Sequence, residues 1–446
     1  MIEQAKALLN ILLKRGFEAY FIGGKCRNEL HNQYHEPKVK VKDVDIVTNA
    51  TISELKKIFP TCNVRGESFQ VVAVVFGGEE FEVATYRKDV YNTVKSKSEK
   101  GKIKKPDTIV VQQLDEDRER RDFTINAIAQ KNDGSFIDYF YLYRNQKVSA
   151  INDLKNKIIR AIGNPKKRFT EDPLRILRAF RFMAQLGYEI EKNTLNAIIN
   201  NLELLELVPH ERIGIEMNKI ITGNFAYMAL MIMEEIGFFK LNIKNSIDGV
   251  QTFFPDFKKI SKEHLEKISL LNLKSDSKNT EIEVWTFILQ PLGKEIARKN
   301  LESFRPLSND DIEKVEWLID NYDLVDSEDI RMSIFNARTG IVKRYKIPCM
   351  KELLISLSRI HSKLDNKYNK IEAKLLSIFC SRPYFEEQLL INGDQLIKLT
   401  QREAGPWITQ VKERILFNLI NEIKYPYKQK EYDEIVLKSI KEVLGE

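Results

Sequence analysis

The spacing of apolar residues separates an N-terminal part of mixed character from a long helical remainder. Residues 1–15 place apolar side chains every three or four positions, which predicts an amphipathic helix. Four short runs then follow, at 18–22, 42–48, 69–76 and 81–86. They are rich in β-branched residues or alternate between apolar and polar residues, as strands do. From about residue 150 onward the period is almost entirely helical. The pattern predicts an α+β protein with its strands near the N-terminus.

Short sequence motifs predict one further helix and one hairpin turn among these elements. Thr51 and Glu54 have the spacing of a capping box, so a helix is expected over 51–59. Gly77 and Gly78 lie between two strand-like runs and predict a hairpin turn.

Two later segments combine a helical period with regularly spaced polar side chains. Residues 119–129 would place Asp122 and Asn126 on one face of a helix. Residues 171–182 are also expected to be helical, with Pro173 in the first turn, where proline is tolerated. Spacing by three residues gives this second helix one polar stripe, formed by Asp172, Arg175, Arg178 and Arg181. A charged stripe is ordinarily a solvated surface, but three arginines behind one aspartate are less typical of it.

Candidate chemistry begins where the first strand ends, at Gly23 and Gly24. Glycines after a strand let backbone N–H groups approach phosphate closely, and the guanidinium of Arg27 can bind phosphate with two hydrogen bonds. On the next strand, Asp43 and Asp45 are two residues apart and therefore point to the same face. Two such carboxylates repel unless a cation lies between them, and their hard oxygens suit Mg²⁺.

The same segments have plainer interpretations. The glycines and aspartates could be a turn beside a solvated strand end. Glu82, on the last strand-like run, is either a further metal ligand, a neighbour of the metal site or an exposed hairpin residue. The lysine-rich stretch 90–106 is too polar to pack, so it is expected to form a loop that is either solvated or in contact with nucleic acid or substrate.

Composition narrows the class of protein only slightly. The 446 residues are 43% hydrophobic and 30% charged, which suits a globular protein of about two to four domains. No apolar run approaches the roughly 18 residues of a membrane span, and the start of the chain lacks a signal-peptide pattern. The four cysteines form no C-x-x-C pair, which fits a reducing cytoplasm and argues against zinc. The net charge of +7 indicates a polyanionic partner only weakly.

Four motifs, taken in order, resemble one family. They are Gly23-Gly24-x-x-Arg27, Asp43-x-Asp45, Arg120-Arg121-Asp122-Phe123-Thr124-Ile125-Asn126, and Glu171-Asp172-Pro173-Leu174-Arg175 continued by Arg178 and Arg181. Together they are similar to those of the class II tRNA nucleotidyltransferases, the CCA-adding enzymes, and of their relatives the bacterial poly(A) polymerases. Residues 391–394 and 404–408 resemble the tail of the Gram-positive CCA-adding type. The chain departs from the family at Cys26 and Asn28, where a valine and an aspartate are usual.

The resemblance implies a nucleotidyltransferase head with a small mixed β-sheet, followed by an all-helical neck, body and tail. The boundaries are then expected at 1–148 for the catalytic head, 149–225 for a neck that recognises the base, 226–380 for the body and 381–446 for a tRNA-binding tail. The implied activity is template-independent addition of C, C and A to the 3′ end of tRNA from CTP and ATP, with release of pyrophosphate.

The resemblance also gives the motif residues roles. Asp43 and Asp45, with Glu82 as a further candidate ligand, would hold two Mg²⁺ ions that activate the primer hydroxyl and stabilise the leaving pyrophosphate. Asp122 would accept a hydrogen bond from the ribose 2′-hydroxyl, supported by Asn126. The remaining predicted contacts with the nucleotide sugar and triphosphate belong to Gly23, Gly24, Arg27, Arg121, Arg178 and Arg181.

Asp172 and Arg175 would take the place of a nucleic-acid template. Cytosine and adenine each present an amino donor beside a ring-nitrogen acceptor, which match an aspartate acceptor and an arginine donor. Uracil and guanine present a carbonyl acceptor and an N–H donor instead, so neither group matches. Arg212 and Glu216, four residues apart on a helix, resemble the last family motif and are expected to form an ion pair that positions the neck.

Three alternatives differ in activity. Within the family they are a poly(A) polymerase and an enzyme that adds only CC or only A. Outside it, a catalytically silent RNA-binding protein should have lost its metal carboxylates or base-reading residues, but both sets are present. The Gly405-Pro406-Trp407 segment favours a tRNA enzyme, since poly(A) polymerases usually end in a basic disordered tail.

Overall fold

A computed structural model gives the architecture in two compact units, Met1–Pro255 and Asp256–Glu446. The structure describes residues 1–41, 44–65, 70–90, 107–143, 146–245, 249–252, 254, 256–272, 279–338, 346–422 and 427–445. Within these ranges, no helix is both long and apolar enough to cross a membrane.

The first unit is built on a mixed sheet. Its strands are β1 (Ala19–Ile22), β2 (Asp45–Thr48), β3 (Asn63–Val64), β4 (Val71–Phe76), β5 (Glu79–Thr85), β8 (Ala129–Gln130) and β9 (Phe136–Ile137). In the described part of the chain their order is β3-β4-β5-β2-β1-β8-β9. The pairing of β2 with β5 is parallel, and the other neighbours are antiparallel.

The described part of the first unit also contains smaller two-stranded ladders outside this sheet. They are β6 (Arg87–Val90) with β7 (Asp107–Val110), β10 (Phe140–Tyr143) with β11 (Gln146–Ser149), β12 (Ile158–Ile159) with β13 (Glu189–Ile190), and β14 (Asn242–Asn245) with β15 (Gly249–Thr252).

The helices of the first unit cover the sheet and then continue beyond it. They are α1 (Ile2–Lys14), α2 (Gly24–Tyr34), α3 (Ile52–Ile58), α4 (Leu114–Glu119), α5 (Ala150–Lys155), α6 (Pro165–Glu171), α7 (Leu174–Leu186), α8 (Lys192–Ile199), α9 (His210–Ile221) and α10 (Ala226–Glu235). The apolar stripe of α1 is fully buried at Ala5, Leu8, Leu9 and Leu12. Ile22, Val47 and Tyr86 form a buried hydrophobic cluster.

The second unit is helical throughout the part that the structure describes. Its helices are α11 (Lys262–Glu266), α12 (Ile268–Asn272), α13 (Thr280–Leu289), α14 (Lys294–Phe304), α15 (Asn309–Asp320), α16 (Ile330–Ala337), α17 (Lys346–Leu364), α18 (Ile371–Cys380), α19 (Gly393–Thr400), α20 (Trp407–Glu422) and α21 (Gln429–Leu444). The last three pack around a core that includes Val411, Ile415 and Tyr432.

These elements confirm the predicted fold class of a mixed N-terminal sheet followed by helices. The capping box is also present, because Thr51 accepts from the Glu54 N–H while the Glu54 carboxylate accepts from the Thr51 N–H. The hairpin predicted at Gly77 and Gly78 joins β4 to β5.

Two helix predictions were wrong. Residues 119–129 do not form one helix, because α4 ends at Glu119 and a short turn at Thr124–Asn126 leads into β8. The Asp122 carboxylate accepts from the N–H of Phe123 at 2.8 Å, a local bond that competes with helix formation. Helix 171–182 is divided at Asp172 and Pro173, because proline has no N–H to continue the helical ladder.

The sequence interpretation also missed a helix. The sequence analysis assigned no helix to the region after Gly24, yet this region forms α2. Its buried residues, Lys25, Cys26, Arg27, Leu30 and His31, include three polar side chains, so no apolar period marks the helix in the sequence.

Candidate active site

The turn between β1 and α2 forms one wall of the candidate site. Gly23 has φ +76° and ψ −131°, a conformation that L side chains rarely adopt. A Cβ atom at Gly23 would also lie 3.2 Å from Oδ2 of Asp45 and 3.7 Å from Nη1 of Arg121. Glycine is therefore required both by the backbone angle and by the close approach of two charged side chains. Helix α2 begins at Gly24 and directs its first free N–H groups towards this turn, where an anion would be stabilised.

Asp45 and Glu82 are paired residues of the parallel strands β2 and β5, so their side chains leave the same face of the sheet. Asp45 is half-buried. The Glu82 side chain is 53% exposed and accepts a hydrogen bond from Nη1 of Arg65 at 3.3 Å. Asp43 lies outside the described residues. The described residues contain no group of three or more His, Cys, Asp or Glu side chains that could hold a metal ion.

Asp122 connects three of the predicted nucleotide-binding residues. Its carboxylate accepts from Nδ2 of Asn126 at 2.8 Å and from Nε of Arg178 at 2.7 Å. Oδ1 of Asn126 in turn accepts from Nη1 of Arg27 at 2.6 Å. Burial alone would raise the pKa of Asp122, but Arg178 and Asn126 outweigh it, so this pKa lies well below its usual value. The four side chains form one hydrogen-bonded chain between the head and α7.

Three arginines surround the ring of Phe182. The guanidinium carbons of Arg27, Arg178 and Arg181 lie 4.7, 5.7 and 4.6 Å from its centroid. Burial, reinforced by the positive charge of Arg181, lowers the pKa of Arg27 to about 10. Such a concentration of like charge is costly without an anion, so the cluster is suited to bind phosphate groups.

The acidic partner of Arg181 is Glu216, whose Oε1 accepts from Nη1 at 3.3 Å. Lys219 is a second partner of Glu216 at 3.4 Å. The predicted ion pair between Arg212 and Glu216 was therefore wrong. Arg212 is exposed on α9, whereas Glu216 is buried on the face that packs towards α7.

The predicted base-reading pair lies at the corner between α6 and α7. Arg175 is buried, and its guanidinium donates to Oε2 of Glu171 at 3.2 Å and to the carbonyl of Arg120 at 2.9 Å. Asp172 is half-buried immediately before α7, where its carboxylate accepts the N–H of Leu174 at 3.2 Å. The arginines of the predicted stripe do not act as one surface, because each binds a different acidic residue. Arg175 binds Glu171, Arg178 binds Asp122 and Arg181 binds Glu216.

One residue of this region was missed by sequence reasoning. Asp117 on α4 is fully buried and binds both Arg120, at 2.8 Å, and Arg121, at 3.1 Å. The sequence did carry a signal, because an aspartate three and four residues before two arginines has helical ion-pair spacing.

Comparison with protein families matches both parts of the first unit. Residues 19–160 match the family described as "Poly A polymerase head domain", and residues 187–244 match the one described as "Probable RNA and SrmB- binding site of polymerase A".

Curated relatives extend the similarity along the chain. A CCA-adding enzyme of Pediococcus pentosaceus is 32% identical over 426 residues, which are 94% of this chain and 94% of that protein. A CCA-adding enzyme of Lactobacillus helveticus is 36% identical over 325 residues, or 72% of each. The chain belongs to the CCA-adding enzyme family. The predicted family is confirmed, and the chain is a nucleotidyltransferase.

Solved structures of the family share the fold. The Bacillus stearothermophilus CCA-adding enzyme in complex with CTP superposes with a TM-score of 0.74 at 24% identity and covers 100% of this chain and 99% of its own. The Thermotoga maritima CCA-adding enzyme complexed with tRNA gives a TM-score of 0.58 at 19% identity, with 98% and 94% covered.

Nucleotidyltransferases of this family generally use a divalent metal. The residues present fit such an ion, because Asp45 offers hard carboxylate oxygens immediately beside the glycine turn. The roles predicted for Asp43, Asp45 and Glu82 as ligands, and for the other site residues in nucleotide binding, stay predictions.

Proposed function

We propose that this chain adds C, C and A to the 3′ end of tRNA, using CTP and ATP without a nucleic-acid template. Membership of the CCA-adding enzyme family supports the reaction. The single observation that carries the proposal is the arrangement of Asp172 and the fixed guanidinium of Arg175 at a corner whose neighbouring arginines surround Phe182. A base-reading pair and a phosphate-binding cluster are what a template-free nucleotidyltransferase requires.

The proposed base selection rests on hydrogen-bond chemistry. Arg175 would donate to the ring nitrogen of cytosine or adenine, and Asp172 would accept from the amino group. Because Glu171 and a backbone carbonyl hold Arg175, little freedom is lost when a base binds. Uracil and guanine would leave two mismatched polar groups, each costing about 1–3 kcal/mol when buried.

The proposed nucleotide contacts follow from the arginine cluster. Gly23, Gly24 and Arg27 would bind the triphosphate together with Arg121, Arg178 and Arg181. Asp122, held by Asn126, would accept from the ribose 2′-hydroxyl. Its depressed pKa supports this role, because the carboxylate remains an acceptor throughout the neutral range.

We further propose Mg²⁺ as the divalent metal, held by Asp43 and Asp45 with Glu82 as a third candidate ligand. When bound, it would activate the primer hydroxyl and stabilise the leaving pyrophosphate. We also propose the division into head, neck, body and tail at 1–148, 149–225, 226–380 and 381–446. The cytoplasm is the proposed location, supported by four cysteines that form no disulfide.

The decisive experiment measures incorporation of labelled nucleotides into a tRNA that lacks its CCA end, in Mg²⁺, with products resolved on a gel. CTP alone should add two residues, and a third should appear only when ATP is also present. A long ladder with ATP alone would identify a poly(A) polymerase instead, and arrest after two cytidines a CC-adding enzyme. No incorporation together with tight tRNA binding would identify a silent RNA-binding protein.

A further inference from the structure

A buried carboxylate, Asp117, lies among three arginines of the head. Its Oδ1 accepts from Nε and Nη2 of Arg120 at 3.0 and 2.8 Å, and its Oδ2 accepts from Nη2 of Arg121 at 3.1 Å. Its Oδ1 also accepts from the backbone N–H of Arg87, the first residue of β6, at 3.3 Å. The residue is fully buried, so water does not compete for these bonds.

Only part of the Arg121 guanidinium is used by Asp117. While Nη2 binds the carboxylate, Nη1 lies 3.7 Å from the position that a Cβ would take on Gly23. Nε of Arg121 is buried and has no hydrogen-bond partner among the described residues. A buried charged donor without a partner is costly, and Nη1 of the same guanidinium lies beside the glycine turn at which the triphosphate is proposed to bind.

Arg120 has a different task from Arg121. Its guanidinium donates two hydrogen bonds to Asp117, and its backbone carbonyl accepts from Nη2 of Arg175. Both of these bonds go to Oδ1 of Asp117, so Oδ2 is bound by Arg121. This bond fixes the direction of a side chain whose Nη1 lies beside the glycine turn.

Electrostatics supports the same assignment. Burial opposes the charge of Asp117, but Arg121 and Arg120 outweigh that effect, and its pKa lies below the usual value. The aspartate therefore remains an anion, which reduces repulsion among the arginines and keeps Arg121 in one orientation.

We propose that Asp117 is a positioning residue that holds Arg121 in the orientation needed to bind the triphosphate of CTP and ATP. The inference rests on the proposed function, because it takes a nucleoside triphosphate as the ligand. Asp117 does not touch the nucleotide itself and acts through Arg121.

The test is Asp117→Asn, which keeps the volume of the side chain but replaces one acceptor oxygen with a donor. Losing one charged hydrogen bond corresponds to about a tenfold effect. We therefore expect the KM values for CTP and ATP to rise about tenfold, with tRNA affinity unchanged. CTP binding measured by calorimetry without tRNA should weaken by the same factor.

A matched control is Asp153→Asn. Asp153 is another buried carboxylate of the head, bound to Arg160 and to the hydroxyl of Thr124. Its amide variant should lower the melting temperature yet leave both KM values within about twofold. The proposal is overturned if Asp117→Asn leaves CTP binding unchanged, or if the control weakens it equally.

A second comparison keeps the test decisive if Asp117→Asn fails to fold. The double variant of Asp117→Asn with Arg121→Ala removes both charges of this pair, so Arg121 is no longer present as a charge that has lost its partner, and Arg120 loses the same partner as in Asp117→Asn. If Asp117 acts through Arg121, the double variant binds CTP as Arg121→Ala does. A much weaker double variant would overturn the proposal. Wild-type protein that binds CTP but adds no nucleotide would reject the proposed function while leaving this comparison intact.

Discussion

At the scale of single residues, the site is a set of arginines, and the three on α7 are each held by a different acidic partner. Arg175 is bound by Glu171, and Arg178 by Asp122. A guanidinium fixed in this way loses little freedom when it binds a ligand, which favours affinity. The acidic partners are therefore as important for the site as the arginines themselves.

Replacing Asp45 by Asn should abolish nucleotide incorporation while tRNA binding stays nearly intact. The neutral amide is a much poorer ligand for a divalent cation than a carboxylate is. Incorporation should fall by at least about 100-fold, equivalent to about 2.7 kcal/mol of transition-state stabilisation. Incorporation assays and filter binding of tRNA measure the two properties separately.

Two further variants complete this comparison. Asp43→Ala should behave like the Asp45 variant if both are metal ligands. A comparable loss of incorporation in Glu82→Gln would indicate that Glu82 is also a metal ligand. Full activity would indicate that Glu82 only forms the ion pair with Arg65. Loss of tRNA binding in the Asp45 variant would require a different account of the carboxylate.

Asp122→Asn should reduce stability in a pH-dependent way. Because the pKa of Asp122 in the folded protein lies below its ordinary value of 3.8, its charge stabilises the fold above that pH, and this contribution is lost as pH falls further. At pH 7 we expect a loss of about 1–3 kcal/mol in the free energy of unfolding. Urea unfolding of both proteins should show the difference shrinking below about pH 3.8.

The exposed Asp115 provides the control for this titration. Its side chain is 73% exposed, so its amide variant should change stability little at any pH. A stability difference for Asp122→Asn that stayed constant from pH 7 down to pH 3 would contradict the assigned direction of its pKa.

At the scale of elements, the connection from β1 to α2 determines the shape of the proposed phosphate site. Strand β1 pairs with β2, which carries Asp45, and helix α2 carries Arg27. The turn therefore brings a predicted metal ligand and a predicted phosphate ligand to one edge of the sheet.

Gly23→Ala should damage both stability and catalysis. The positive φ strains any side chain, at a cost of about 1–3 kcal/mol, and the added Cβ would meet Asp45. Gly16→Ala is the matched control, since Gly16 has φ +85° but no atom within 4 Å of its Cβ position. Urea unfolding should show a loss in both variants, whereas incorporation should fall only in Gly23→Ala. Equal activities would mean that the contact with Asp45 does not matter.

At the scale of the whole molecule, two compact units share a moderate positive charge of +7. An enzyme that accepts every tRNA must rely mainly on contacts with phosphates and with the shape of the RNA. Such contacts release counterions from the nucleic acid, which makes binding sensitive to salt.

The affinity for tRNA should therefore fall steeply as salt rises. Between 50 and 200 mM salt, we expect the affinity for tRNA to fall at least tenfold, because neutralisation of a few phosphates already gives a salt dependence of that size. Filter binding with tRNA lacking its CCA end measures the dependence, and circular dichroism at each salt concentration controls for unfolding. An affinity that did not depend on salt would argue against recognition through phosphates.

Much of this protein follows from local sequence. The apolar period predicts α1, the capping box predicts the start of α3, and the glycine pair predicts the hairpin between β4 and β5. These features depend on residues close together in the chain, so short-range sterics and hydrogen bonds determine them. The four motifs likewise identified the family, because their residue types and order are specific.

Tertiary structure decided which side chains meet. Arg27 reaches Asn126 across 99 positions of sequence, and Arg178 reaches Asp122 across 56. The motifs offer Arg181 other acidic residues, and the packing of α9 against α7 selects Glu216 rather than Asp122. Helix α2 was hidden for the same reason, because its buried residues include Lys25, Arg27 and His31. The partner of a charged group depends on its burial and on its distance from other charges. Both are set by the packing of segments that are remote in sequence, so local sequence does not reveal them.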